Sequence, residues 1–221
     1  LENIGLVWWG AIAFGIQIYC DFSAYTDIAI GSALLFGIRL PENFDSPYAA
    51  TSPQDFWRRW HISLGSWFRD YLYFFLGGNK SGKYIWYKNI MLVFLISGLW
   101  HGANWTFVIW GFLHGFYMIF SMIFKDVKKY IFSIFKINSE MYLVKFFQVV
   151  ITFILVDFAW IFFRSNTLND SIYIIKNLFV LDTSVLYDKS LHNLGLDEKD
   201  LYLSILLILF LIIVQIKQKN T

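Results

Sequence analysis

One cysteine, Cys20, is all that 221 residues contain, which excludes an internal disulfide and any metal site built on several thiolates. Charge is scarce as well: Lys, Arg, Asp and Glu make up 15% of the chain, against about 25% in a soluble domain. The three prolines all fall between Pro41 and Pro53. There is no internal repeat, no low-complexity tract, no glycine-rich phosphate loop and no basic patch of the kind that holds nucleic acid. A Gly-x-Ser-x-Gly elbow is missing too, and Cys20 is no credible nucleophile. Any acyl chemistry here therefore favours direct transfer over an acyl-enzyme.

What fills the sequence is apolar: 57% hydrophobic residues and 21% Phe, Trp and Tyr. That composition predicts an all-α, polytopic transmembrane protein whose first partner is the lipid bilayer. The net charge of +2 says little, because in a membrane protein the placement of charge outweighs its sum. The chain opens at Leu1 directly in an apolar run with no basic region and cleavage site ahead of it, and it reads as the C-terminal portion of something longer.

In order along the chain, residues 4–19 read as a first membrane segment ending at Cys20 and Asp21. Residues 22–38 form a less clean one, holding Ser23, Thr26, Asp27 and Ser32, which should face protein or water. Asp21 and Asp27 serve there either as helix caps at a bend or as the lining of a cavity. Pro41, Asn43, Asp45 and Pro47 mark residues 39–51 as a loop. Ser52, Pro53 and Asp55 then supply a hydroxyl cap, a first-turn proline and a first-turn acid. They predict an amphipathic helix over residues 53–76, lying near the membrane interface. On its wheel Trp57, His61, Leu64, Phe68 and Tyr71 share a stripe about 80° wide, with Arg58, Arg59, Arg69 and Asp70 outside it.

Residues 77–88 form a short basic loop, and residues 125–145 a second one with Lys125, Lys128, Lys129, Lys136 and Lys145. Further spans are expected at residues 146–163 and 201–216, separated by an acidic loop over 165–200. Cytoplasmic loops collect Lys and Arg, so both basic loops and the C-terminus belong inside and the acidic loop outside. This alternation requires residues 89–124 to enter the membrane, turn near residues 101–104 and return.

His101 sits at that turn, beside Gly102 and Asn104, inside nearly thirty residues of membrane-grade hydrophobicity. An ionisable side chain at such depth is costly and marks function. Haem is a poor fit: His101 and His114 are 13 apart, about 220° of helical rotation, so they do not share a face. Zinc is poorer still, because His61, His101 and His114 have no Cys or carboxylate at ligand spacing. Acid–base work remains, a neutral imidazole taking the proton of a hydroxyl that attacks an acyl group.

Six segments carry a resemblance: Tyr19-Cys-Asp-Phe-Ser-Ala-Tyr-Thr-Asp-Ile-Ala-Ile-Gly31, Arg39-Leu-Pro-Glu-Asn-Phe44, Phe56-Trp-Arg-Arg-Trp-His-Ile-Ser-Leu64, Trp67-Phe-Arg-Asp-Tyr-Leu-Tyr73, Leu99-Trp-His-Gly-Ala103 and Trp160-Ile-Phe-Phe-Arg164. Together they resemble the membrane-bound O-acyltransferase family, in its branch of bacterial alginate and peptidoglycan O-acetylation proteins. The D-alanyl transferase of teichoic acid synthesis shares the motifs more loosely. The resemblance implies that His101 is the central catalytic histidine and His61 a second essential one, with Asp21, Asp27, Trp100 and Asn104 as candidates for the substrate path. It also implies that residues 1–221 are the C-terminal part of one such domain, whose N-terminal helices are missing, so that the piece alone should be inactive. Expected for the whole protein are a bacterial cytoplasmic membrane location, many passes, no bound cofactor or metal, and acetyl-CoA or a carrier-protein thioester as donor. A polysaccharide acceptor and an extracytoplasmic acyltransferase partner complete the expectation. The competing class is a proton-coupled transporter, in which Asp21, Asp27 and His101 would line an ion path.

Overall fold

Long apolar runs with few helix breakers give helices throughout the computed structural model, which describes residues 5–80, 82–178 and 198–218; among these there is no β-strand. The first helix, α1 (Gly5–Leu35), corrects the expectation of two segments, because it runs 31 residues without a bend at Cys20 and Asp21. Neither residue breaks a helix, and the polar side chains that made the second half look unsuited fold back on their own backbone. Thr26 Oγ1 donates to the Ser23 carbonyl at 2.8 Å and Ser23 Oγ to that of Cys20 at 3.4 Å. The helix stops where Gly37 takes the left-handed conformation, φ 73°. The Ile38 and Gly37 N–H groups then close on the Ala33 and Leu34 carbonyls, a Schellman end.

Residues 39–51 are a loop, as expected, with one 3-10 turn at Pro47–Ala49. The predicted capping of the next helix, α2 (Pro53–Arg59), is present: Ser52 Oγ accepts the Asp55 N–H at 3.2 Å. The expected single helix over 53–76 is not. It breaks at Trp60 and His61, resumes as α3 (Ile62–Trp67), passes into a π-helical turn (Phe68–Tyr73) and ends in turns. The break lets Phe56 and Trp60, not the wheel's stripe, enter the core, where Trp60 meets Trp160 at 5.1 Å and Phe44 at 5.0 Å. Of the stripe only Phe68 is buried, while Tyr71 is exposed.

The predicted turn at residues 101–104 is present, between α4 (Lys83–His101) and α5 (Trp105–Ile123). These two helices cross at glycines: a Cβ on Gly98 would run into the Phe107 carbonyl, and one on Gly111 into that of Phe94. Small residues permit such close backbone approach between membrane helices. The expected basic loop over 125–145 is largely a helix, α6 (Lys125–Ile134), followed by α7 (Tyr142–Arg164). The expected acidic loop contains a helix as well, α8 (Leu168–Leu178). Its start is fixed by Thr167 and Asp170, each of whose side chains accepts the other's backbone N–H. The rest of that loop, residues 179–197, lies outside the described residues. The last span appears as α9 (Glu198–Gln218).

Of these helices, α5 and α7 are long and apolar enough to cross a membrane. The core lies where they meet α2, around Phe56, Trp60, Trp110, Val156, Ala159 and Trp160.

Candidate functional site

His101 is the last residue of α4, so its ring stands where the helix ends and the chain turns away. Trp100, Trp110 and Phe163 surround it at centroid distances of 4.9, 5.1 and 5.1 Å. Gly102 is required next to it, because a Cβ there would lie 2.6 Å from the Phe107 ring. Asn104 closes the turn: its Oδ1 accepts the Thr106 N–H at 3.2 Å and its Nδ2 donates to the Asn166 carbonyl at 2.9 Å. Of the segments that carried the family resemblance, those around His101 and around Phe163 are thus neighbours in space.

His61 occupies the break between α2 and α3 with φ 47°, a left-handed conformation that is costly for a side chain of this size. Such strain persists only where the surroundings impose it, and here they do. The Ile62 N–H donates to the Asn43 carbonyl at 3.1 Å, while Asn43 Oδ1 accepts the Ser63 N–H at 3.1 Å and its hydroxyl at 2.6 Å. A backbone N–H can only donate, so the atom facing His61 Nδ1 at 3.4 Å is the amide oxygen. His61 Nδ1 then donates, and its Nε2 keeps a lone pair. Phe22 of α1 packs edge-on against the ring at 4.7 Å. Burial holds the His61 imidazole below its ordinary value, toward the neutral form.

Aromatic rings link the two histidines: Trp60, next to His61, meets Trp160 at 5.1 Å, Trp160 meets Phe163 at 5.2 Å, and Phe163 meets His101 at 5.1 Å, although 40 residues separate His61 from His101 in the sequence. Beside His61 opens a cavity of about 900 Å³ lined by residues of α2 through α6, among them Trp57, Arg58 and Arg69. His101 does not line it.

The four substrate-path candidates stand apart from this cavity. Asp21, Asp27 and Trp100 are exposed, Asn104 is engaged in the turn, and none is among the lining residues. Arg59, placed by the wheel off the stripe of a helix near the membrane interface, is held at 2.8 Å by Asp55 and at 3.6 Å by Asp45. Among the described residues no three His, Cys, Asp or Glu side chains stand together as a ligand set.

Three residues escaped the sequence reading. Asn43 looked like a turn former, and only the folded loop brings it to His61. His114, set aside on the helical wheel, is fully buried and accepts the Trp57 indole N–H at Nδ1, 3.2 Å away. Asp157, a carboxyl within the apolar run of α7, is buried beside Gly15 with Oδ1 lacking a partner among the described residues. A carboxyl in a span was itself a signal of function.

Residues 5–163 match the membrane-bound O-acyltransferase family. A peptidoglycan O-acetyltransferase of Helicobacter pylori is 43% identical over 176 residues, 79% of this chain and 32% of that protein. A "Probable alginate O-acetylase AlgI" of Pseudomonas aeruginosa is 40% identical over 207 residues, 93% of this chain and 38% of that one. A teichoic acid D-alanyltransferase of Bacillus subtilis is 36% identical over 117 residues, 48% of this chain and 28% of its own. The chain spans about a third of the length of these curated relatives. On the match over residues 5–163 and the identities of 36–43% to its relatives, the chain belongs to the membrane-bound O-acyltransferase family.

Proposed function

We propose that residues 1–221 are the C-terminal part of one acyltransferase domain in a multi-pass protein of the bacterial cytoplasmic membrane. The whole protein moves an acetyl group from a cytoplasmic thioester, acetyl-CoA or a carrier-protein thioester, toward hydroxyls of a cell-surface polysaccharide. Transfer runs directly or through an extracytoplasmic acyltransferase partner. The observation that supports this reading is that the two histidines of the shared motifs each stand at a helix break, His61 between α2 and α3 and His101 at the end of α4, joined through the rings of Trp60, Trp160 and Phe163.

The chemistry follows from that pair. The acceptor oxygen attacks the acyl carbon as a neutral imidazole of His101 takes its proton; the carbon–sulfur bond breaks, and the leaving thiolate takes the proton back. His61, its Nδ1 turned to Asn43, orients His101 or lines the acyl path. A D-alanyl group in place of acetyl is the second reading, favoured by the resemblance to a teichoic acid D-alanyltransferase.

In the full-length protein His101→Ala should abolish acyl transfer, because general acid–base catalysis is worth about 10²–10⁴-fold, while insertion rests on apolar runs the change leaves alone. The measurement is surface-glycan acetylation in a deletion strain complemented at matched membrane levels. Near-normal acetylation would remove the catalytic role. A proton leak that depends on His101, without any glycan change, would favour the transporter.

A further inference from the structure

The helix α6 joins α5 to α7, the two helices long and apolar enough to cross a membrane. As the link between consecutive spans, it has both ends on one side of the bilayer. Phe124 caps the end of α5 and the start of α6, so the helix begins where the span stops, at the membrane surface. Its far end is fixed as well: Lys136 takes the left-handed conformation, φ 48°, and the Ile137 N–H closes on the Phe132 carbonyl at 2.8 Å. The ten residues between divide into two faces. At about 100° per residue, Val127, Tyr130, Ile131 and Ile134 fall within a stripe roughly 100° wide. They are 43–67% exposed, and no residue of α6 is buried, so among the described residues nothing covers the stripe. Lys125, Lys128 and Lys129 lie on the opposite side. Phe132, the one apolar residue among them, is half-buried, with Lys128 Nζ 5.4 Å from its ring centre. Asp126 is the only acid of the helix. Lys128, Lys129 and Lys136 have no ion-pair partner among the described residues.

We propose that α6 lies flat in the cytoplasmic interface of the membrane and anchors the protein to anionic lipids. Val127, Tyr130, Ile131 and Ile134 sit at the upper ends of the acyl chains, and Lys128, Lys129 and Lys136 extend their long stems to the phosphates. An apolar stripe bordered by unpaired cations matches a leaflet that is apolar below and anionic above. A covering protein would match the stripe and leave the lysines unanswered. The lysines also assign the side, since Lys and Arg gather in the cytoplasm. This anchor is independent of the acyl-transfer chemistry, because none of its residues has a part in that step.

The test places a nitroxide label on the full-length protein, its other cysteines replaced, at Ile134→Cys in the stripe or at Ser133→Cys on the polar side. Both positions are exposed, so the label disturbs no packing. The protein is held in nanodiscs of phosphatidylcholine, with or without phosphatidylglycerol, and collision with oxygen or with a water-soluble nickel chelate reports depth. In the mixed bilayer the label on Ile134→Cys should lie about 5–10 Å into the boundary between head groups and acyl chains, open to oxygen and shielded from nickel. The label on Ser133→Cys should be open to nickel. In phosphatidylcholine alone, nickel access at Ile134→Cys should rise roughly fivefold, the contribution of one lysine at an anionic surface. Adding Lys128→Gln, Lys129→Gln and Lys136→Gln should produce the same rise in the mixed bilayer. A label on Ile134→Cys as open to nickel as that on Ser133→Cys would put the stripe in water and overturn the proposal. Closure to both reagents would mean that protein covers the stripe, the rest of this chain or a partner, and would overturn it too. So would equal nickel access in the two lipid mixtures.

Discussion

Trp57 donates its indole N–H to His114 Nδ1 at 3.2 Å across 57 residues of sequence. With Nδ1 accepting, the ring proton sits on Nε2, which is buried and has no partner among the described residues. His114 is thus a fixed acceptor that holds a wall of the cavity, with no lone pair left for catalysis. His114→Ala should cost about 2–4 kcal/mol of stability, and Trp57→Phe about 1 kcal/mol. The double variant should cost less than the sum, because both singles lose the same bond. Thermal unfolding of the full-length protein in detergent measures this. At matched membrane levels His114→Ala should keep measurable acetylation, and a loss as complete as that of His101→Ala would place His114 in the chemistry.

Asn43 is the anchor of His61, and its oxygen also serves Ser63. Asn43→Leu leaves those donors unpaired, at about 1–3 kcal/mol, and should lower acetylation toward the His61→Ala level. Asn43→Asp keeps an acceptor in place and should recover part of it. Wild-type acetylation with Asn43→Leu would mean that His61 needs no holder.

Gly98→Ala and Gly111→Ala should each prevent the α4–α5 contact, because the new Cβ meets backbone that cannot move aside. Overpacking of this kind typically costs about 1–3 kcal/mol, occasionally more. Gly10→Ala meets nothing within 4 Å and should gain roughly 0.5–1 kcal/mol from its helical position. Equal membrane levels for all three would contradict the crossing.

Arg59→Lys should destabilise more than Arg58→Lys, by about 1–2 kcal/mol. Arg59 spans Asp55 and Asp45, with only 16% of its side chain exposed, a reach that an ammonium does not reproduce. Indistinguishable melting of the two variants would show that the Asp55 and Asp45 contacts of Arg59 add nothing to stability.

With Cys20 replaced by Ser, Asn169→Cys should react with an impermeant thiol reagent from outside, and Ser133→Cys should not. Both positions are exposed, at either end of α7. The expectation comes from the basic residues of α6, which belong on the cytoplasmic side. Reversed labelling would invert the direction of the reaction.

The sequence told most where a local rule operates. The cap Ser52-Pro53-Gln54-Asp55 and the turn after His101 lie where short-range chemistry put them, because the groups that decide them are within a few residues. The helical wheel failed over residues 53–76 because it presumes an unbroken helix. Nothing local announces the left-handed His61, whose conformation is imposed by Asn43 from another segment. Asp21 and Asp27 misled for the opposite reason: polar residues inside an apolar run suggested a bend, yet with no proline or glycine between Gly15 and Gly31 the helix simply continued, exposing both. That the rings of Trp60, Trp160 and Phe163 link His61 to His101 is a tertiary fact, which no local rule announces.

The turn between α4 and α5 has only three residues, 102–104, and this bears on how the protein is made. Of the two helices, α5 is long and apolar enough to enter a bilayer alone, while α4, with Lys83, Lys88, Asn89 and His101, is not among such helices. A segment that partitions weakly is carried in by one that partitions strongly when the tether is this short. The pair should therefore enter lipid together as one hairpin, with His101 at its tip.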